Sequence, residues 1–229
     1  MIPFPDISPE IFSFSIADFE FSIRWYAVSY LAGILIAFMV MKSFLLRERL
    51  WRFNAGPLDR EQLDSLMTYL VLGIIIGGRL GYVLFYNLDA YIESPENIVR
   101  VWDGGMAFHG GFLGVVIAVF LYCRFNGVLV WSCADLIALA SGPGLLFGRL
   151  ANFINAELWG RPTNAPWGVV FPGERAQDCA GVIGDCARHP SQLYEAGLEG
   201  LLLFLVLVTV ASFGWLRRPV LISGLFFLI

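Results

Sequence analysis

The stretch Leu70-Val71-Leu72-Gly73-Ile74-Ile75-Ile76-Gly77-Gly78-Arg79-Leu80-Gly81-Tyr82-Val83-Leu84-Phe85-Tyr86 decides the architecture of this chain. It completes a predominantly apolar run over residues 66–86. As a helix rising about 1.5 Å per residue, such a run crosses a hydrocarbon core of about 30 Å. Within it stands one permanent charge, Arg79, about 10 Å from the nearer end by helical rise. A charge in hydrocarbon costs several kcal/mol, which makes Arg79 a functional candidate. Its plainer reading is a buried ion pair, with Glu195 as the possible partner. Gly73, Gly77 and Gly81 stand four apart on one face, the spacing of a close helix contact.

Working outward, residues 23–46, 107–123, 128–150 and 192–215 form further membrane-length windows. Residues 220–229 begin another that covers only about 15 Å as helix. The expected fold is an all-α polytopic transmembrane bundle, one membrane domain over residues 1–229 with its last helices missing. The chain therefore reads as a fragment. Hydrophobic residues make up 58% of it and charged residues 15%, a membrane composition. The net charge of −4 gives no sign of nucleic-acid binding. Residues 1–22 lack a basic n-region and are broken by Pro3, Pro5, Asp6 and Pro9, unlike a cleavable signal peptide. The alternation Ile11-Phe12-Ser13-Phe14-Ser15-Ile16 reads instead as a short strand or arm in the membrane interface. Gly142-Pro143-Gly144 predicts a kink or unwound turn in the fourth span.

Loop charges set the expected orientation. With the N-terminus outside, the inner loops hold Lys42, Arg47, Arg49, Arg52, Arg60, Arg124, Arg217 and Arg218. The outer loops, though longer, hold Arg100, Arg161, Arg175 and Arg188. Residues 152–190 then form a small outer head, with Trp159 and Trp167 suited to the interface. Cys179 and Cys186 fall in that head, where an oxidising compartment permits a disulfide that spacing alone leaves open. Cys123 and Cys133 read as reduced apolar fillers. No His/Cys cluster has metal-site spacing.

In this topology a set of polar residues falls at the outer ends of the spans. Arg24 and Tyr26 open the first, His109 enters the third, and Arg149 closes the fourth. Asn152, Asn155 and Glu157 follow, and Gln192, Tyr194 and Glu195 begin the fifth. Together they suit a lipid with an anionic headgroup. Each has a plainer reading: Arg24 snorkels, Tyr26 belongs to an aromatic belt, and the asparagines cap a helix. Gly110 and Gly111 clear space beside the His109 imidazole, so that a substrate approaches the backbone. The strongest local pattern is Gly148-Arg149-Leu150-Ala151-Asn152-Phe153-Ile154-Asn155-Ala156-Glu157-Leu158-Trp159-Gly160. Its guanidinium suits bidentate phosphate recognition, and its amides can donate to ester or phosphate oxygens.

That block resembles G-R-x-[GA]-N-F-x-N-x-E-x-x-G, the signature of the prolipoprotein diacylglyceryl transferase family. The resemblance extends to Ile23-Arg24-Trp25-Tyr26, Gly78-Arg79-Leu80-Gly81-Tyr82, Phe108-His109-Gly110-Gly111 and His189-Pro190-Ser191-Gln192-Leu193-Tyr194-Glu195, in family order. It implies a bacterial inner-membrane enzyme working at the outer, periplasmic leaflet. Such enzymes move diacylglyceryl from phosphatidylglycerol to the lipobox cysteine of a prolipoprotein signal peptide, forming a thioether and releasing glycerol phosphate. No metal or organic cofactor is implied. Family members continue beyond Gly224-Leu225 through further helices that supply another Arg and Tyr.

On this reading His109 is the base for the thiol, with His189 as a rival. Arg149 stabilises the leaving phosphate, Tyr26 and Asn152 orient the headgroup, and Arg24 or Arg79 assists. Asn155, Gly160, Gly110, Gly111, Gln192 and Tyr194 complete the candidate substrate-binding set. Glu157 holds either Arg149 or the head loop. The competing class is an anionic-lipid flippase or transporter without covalent chemistry. Against it stands the absence of the repeat pair common in transporter folds.

Overall fold

The computed structural model describes residues 1–16, 19–182 and 184–229. In chain order its strands are β1 (Ile2–Pro3), β2 (Glu10–Ile16), β3 (Phe19–Arg24) and β4 (Val169–Val170). Its helices are α1 (Trp25–Leu45), α2 (Arg60–Tyr86), α3 (Leu88–Glu93), α4 (Phe108–Asn126), α5 (Val130–Ile154), α6 (Glu174–Gln177), α7 (Ser191–Glu195), α8 (Leu203–Ser212) and α9 (Leu221–Leu228). Among the described residues, five helical stretches are long and apolar enough to cross a membrane: α1, α2, α4, α5 and Ser191–Ser212. The fold is an all-α polytopic bundle with little sheet. Contacts divide it into two compact units, residues 1–41, 138–213 and 225–229, and residues 42–137 and 214–224.

In the first unit the N-terminal segment is tied to the head. β1 pairs in parallel with β4, and the Phe4 ring lies 5.3 Å from Phe153 and 5.4 Å from Phe171. The alternation after Pro9 forms a real hairpin, in which β2 pairs antiparallel with β3 and Phe12 faces Ile23. Side chains two apart share a strand face, so the Phe12 and Phe14 rings stack at 5.4 Å. β3 runs into α1 with no linker. Arg24 is therefore the last strand residue rather than the start of a helix, and it pairs with Glu10 at 3.2 Å.

The unwound turn expected at Gly142-Pro143-Gly144 does not form: α5 continues as helix through Pro143. Its glycines are used for packing instead. A Cβ on Gly33 would stand 3.0 Å from the Gly144 Cα, and one on Gly142 would meet the Phe204 Cβ at 2.5 Å. The irregular stretch lies in the fifth span, where Ala196–Leu202 forms a π-helix between α7 and α8. That span ends at Ser212, and Trp215 belongs to a separate 3-10 turn after left-handed Gly214.

The head closes over Val169, Phe171 and Ala176, with Phe4, Phe153, Ala156 and Trp159 packed against them. Cys179 and Cys186 are disulfide-bonded. Arg188 is buried and donates to the carbonyls of Ala176 (2.6 Å) and Asp178 (2.9 Å), with its guanidinium 4.2 Å over Trp159.

The second unit is built on α2 and α4. The α2 helix begins at Arg60, earlier than the apolar window, because Asp59 and Gln62 form a reciprocal capping box. Gly73 faces Gly114 and Ala118, whereas Gly81 faces Gly110 and Ala107, so the two helices run antiparallel. A Cβ on Gly73 would lie 2.7 Å from the Gly114 carbonyl oxygen, and one on Gly81 2.7 Å from the Gly110 Cα. Only hydrogen side chains permit this approach. The buried carboxylate of Asp135 accepts from Val220 N (2.8 Å), Ser223 N (2.8 Å) and Ser223 Oγ (2.7 Å), capping α9 from another helix. Cys123 and Cys133 are free and buried.

Candidate functional site

The last turn of α5 brings Asn152 beside the first turn of α1. Asn152 is buried, and its Nδ2 donates to the Tyr26 hydroxyl at 2.8 Å and to Glu157 Oε1 at 2.7 Å. Both amide protons are thus committed, which fixes the side-chain plane. Glu157 reaches Asn152 because the chain turns sharply after α5. Ala156 (φ +52°) and Leu158 (φ +57°) on either side of it are both left-handed. That conformation is costly for residues with a Cβ and persists only where surrounding contacts impose it.

Those contacts come from residues 188–195. Gln192 is buried and donates from Nε2 to the Glu157 carbonyl, while Ser191 Oγ donates to the Leu158 carbonyl at 2.9 Å. Gly160 N donates to the His189 carbonyl at 2.9 Å. A Cβ on Gly160 would lie 3.0 Å from both the Cβ and the carbonyl oxygen of His189, so glycine is needed for this approach. The strip 149–160 is thereby laced to the entry of the fifth span.

Arg149 and Glu195 close the same seam. Arg149 Nε contacts Glu195 Oε2 at 2.7 Å, with the two side chains 32% and 33% exposed. The contact uses Nε, so the two terminal nitrogens of the guanidinium lie outside it. Planar N–H groups of this kind fit phosphate or carboxylate oxygens in pairs. Glu195 therefore belongs to Arg149, not Arg79, and Glu157 holds Asn152 rather than Arg149.

The remaining candidates have other partners. Asn155 Nδ2 donates to the Ala151 carbonyl at 3.0 Å, a cap on its own helix. The Tyr194 hydroxyl accepts from Trp167 Nε1 at 2.8 Å and lies 3.0 Å from His189 Nδ1. In the second unit, Arg79 is buried in a cage of carbonyls. It donates to Asn97 (2.6 Å), Ile98 (2.9 Å), Gly105 (3.1 Å) and Gly104, and stacks 5.1 Å over Tyr91. With four of five guanidinium protons so committed, Arg79 organises the loop before α4 rather than presenting a cation to a ligand. His109 is exposed in the first turn of α4, edge-on to Phe108 at 5.6 Å. The side of Gly110 on which a Cβ would project is filled by the α2 backbone at Gly77 and Gly81, whereas Gly111 makes only ordinary contacts. Gly110 is therefore a helix-contact residue, not a clearing beside the imidazole.

Fold and site together define a multi-pass membrane protein with a polar, partly buried cluster at the ends of its helices. The sequence profile of the prolipoprotein diacylglyceryl transferases matches residues 12–229. A phosphatidylglycerol–prolipoprotein diacylglyceryl transferase of Cereibacter sphaeroides is 55% identical over 98% of this chain and 77% of its own length. Proteins of the same description from Ruegeria pomeroyi and Rhizobium leguminosarum are 55% and 46% identical over 99% of the chain, which covers 77% and 76% of them. The chain belongs to the prolipoprotein diacylglyceryl transferase family.

Proposed function

We propose that this protein transfers the diacylglyceryl group of phosphatidylglycerol to the lipobox cysteine thiol of prolipoproteins. The sulfur forms a bond to the terminal glyceryl carbon, and the bond from that carbon to the phosphate oxygen breaks. Glycerol phosphate departs with the electron pair, and the thiol proton passes to a base. The reading places the enzyme in the bacterial inner membrane, with its chemistry at the periplasmic leaflet.

The observation that supports it is the half-buried guanidinium of Arg149, held by Glu195 through Nε with its terminal nitrogens outside that contact. A second negative charge develops on the phosphate as the carbon–oxygen bond breaks, and a preoriented cation away from bulk water stabilises the resulting dianion more than the monoanionic diester. Glu195 acts as the positioning residue that sets the plane of the guanidinium. Tyr26 and the side-chain oxygen of Asn152, whose two amide protons are already given to Tyr26 and Glu157, orient the headgroup. Gln192 and Gly160 keep the strip laced, and Asn155 ends the helix. His109 is assigned the role of thiol base from the sequence, since an imidazole nitrogen can accept the thiol proton and the attacking species is the thiolate.

The test is direct. Incubated in bilayer nanodiscs with phosphatidylglycerol and a lipobox peptide, the protein is expected to release glycerol phosphate and add a diacylglyceryl mass to the peptide. Lipid movement between leaflets without either product would replace the enzyme with a flippase. A folded His109→Asn variant with unaltered rate and pH profile would remove that base.

A further inference from the structure

A second feature lies far along the chain from the Arg149 cluster and contains none of the residues assigned to the transfer reaction. Past Leu45 the chain makes two 3-10 turns, Glu48–Leu50 and Arg52–Asn54, and a third, Trp215–Arg217, is pinned to them. Arg217 donates to the Arg49 carbonyl from Nη2 (2.8 Å) and Nε (3.2 Å). Leu50, Trp51 and Leu216 are buried beneath, and Trp51 Nε1 donates to the Phe44 carbonyl at 2.9 Å. Phe53 is not part of that core. It is 85% exposed, with the Arg52 guanidinium 4.8 Å over its ring. Phe53 (φ +61°) and Asn54 (φ +54°) are consecutive left-handed residues, and a bulky aromatic seldom adopts that conformation. The turn therefore holds this ring outward at a conformational cost. Trp215 is 45% exposed in the adjoining turn. Arg47, Arg49, Arg52, Arg217 and Arg218 are exposed in and beside these turns, against the two exposed acids Glu48 and Asp59.

We propose that this platform is an interfacial lipid anchor, in which Phe53 and Trp215 enter the acyl boundary and the arginines bind anionic phospholipid headgroups. Its position carries the argument. The first turn begins just beyond the end of α1, a membrane-length helix, so the platform lies at a bilayer surface whichever way the chain is oriented. Aromatic rings are favoured at headgroup depth, and guanidinium groups match phosphate in paired hydrogen bonds. An exposed ring set among cations favours a lipid surface over a nucleic acid, and the charge favours an anionic lipid over a zwitterionic one. The proposal does not rest on the transfer reaction.

The test uses the whole chain in nanodiscs, with Phe53→Cys carrying an environment-sensitive fluorophore. Cys123 and Cys133 are buried and Cys179 is bridged to Cys186, so labelling is directed to position 53. Discs of phosphatidylcholine are compared with discs that also contain phosphatidylserine, an anionic lipid without the glycerol headgroup of the transfer donor. Blue-shifted emission, quenched by lipids spin-labelled at shallow depth and more strongly with phosphatidylserine, is the expected result. Arg49→Glu combined with Arg52→Glu should abolish the phosphatidylserine dependence while leaving transfer in detergent unchanged. If that variant fails to insert, raising salt on the labelled parent should weaken the dependence instead. Water-like emission insensitive to lipid quenchers, or quenching identical in both lipids, overturns the proposal.

Discussion

Two arginines that look alike in the sequence, each within or closing an apolar span, have different surroundings. Arg79 gives four N–H groups to backbone carbonyls of residues 97–105 and is 4% exposed. Arg149 meets one carboxylate through Nε and is about one-third exposed. The difference lies in what each guanidinium has left to give. A cation whose protons are consumed by carbonyls is a fastener, whereas one held on a single edge can still act on a ligand.

That contrast predicts its largest effect at Arg149. Arg149→Ala should lower the transfer rate by roughly 10²–10³-fold, the loss typical of one charge-stabilising donor. Arg149→Lys should keep part of the affinity but lose the paired geometry. Both are read from glycerol phosphate release, with circular dichroism to confirm folding. A folded Arg149→Ala protein with parental turnover would break the comparison at its functional end.

Arg79 should fail in the other way. Arg79→Ala strips the charged donor from four carbonyls, and each one left buried without a partner costs about 1–3 kcal/mol unless water takes the donor's place. A net destabilisation of about 3 kcal/mol is expected in thermal unfolding in detergent. Arg79→Lys should not restore it, because an ammonium cannot span the same fork of carbonyls. A normally stable Arg79→Ala protein that had lost only turnover would return Arg79 to the active groups.

The two arginines are hard to separate in the sequence for a physical reason. Hydropathy windows expose where spans lie, because the bilayer demands unbroken apolar length. They do not show partners. Asn152 and Glu157 stand close enough in sequence for their pattern to be read, but Glu195 joins Arg149 only through folding. The carbonyls around Arg79 have no side-chain signature at all. The start of α2 was hidden because its cap, Asp59 with Gln62, is polar and lies outside the apolar window. At Gly142-Pro143-Gly144 the unwound turn fails to form for a related reason. The pattern marks a break by propensity, but close packing at Gly33 and Phe204 uses the same small residues within a continuous helix. The π-helix at Ala196–Leu202 has no such marker in its sequence.

The glycines allow a smaller and sharper test. At Gly77 a methyl group would strike the backbone of α4, whereas nothing lies within 4 Å of a Cβ on Gly144. Gly77→Ala should destabilise by about 1–3 kcal/mol, the range for overpacking. Gly144→Ala should be neutral or stabilise by up to about 1 kcal/mol through helix propensity. Paired thermal scans decide the matter, and equal shifts at the two positions would show that close approach is not what Gly77 supplies.

The smallest effect is expected at Arg24, a third arginine at a span end and a candidate for lipid contact by its position alone. Its contact with Glu10 at 3.2 Å joins side chains 62% and 39% exposed, and it bridges the open end of the β2–β3 hairpin. Ion pairs this exposed contribute about 0–1 kcal/mol and weaken with salt. Arg24→Ala should therefore lower stability by less than about 1 kcal/mol, and the deficit should shrink at high salt. Glu10→Gln should do the same, and the double variant should be no worse than either single change. A large loss of turnover in Arg24→Ala that Glu10→Gln does not share would mean that the guanidinium acts on lipid rather than on the hairpin.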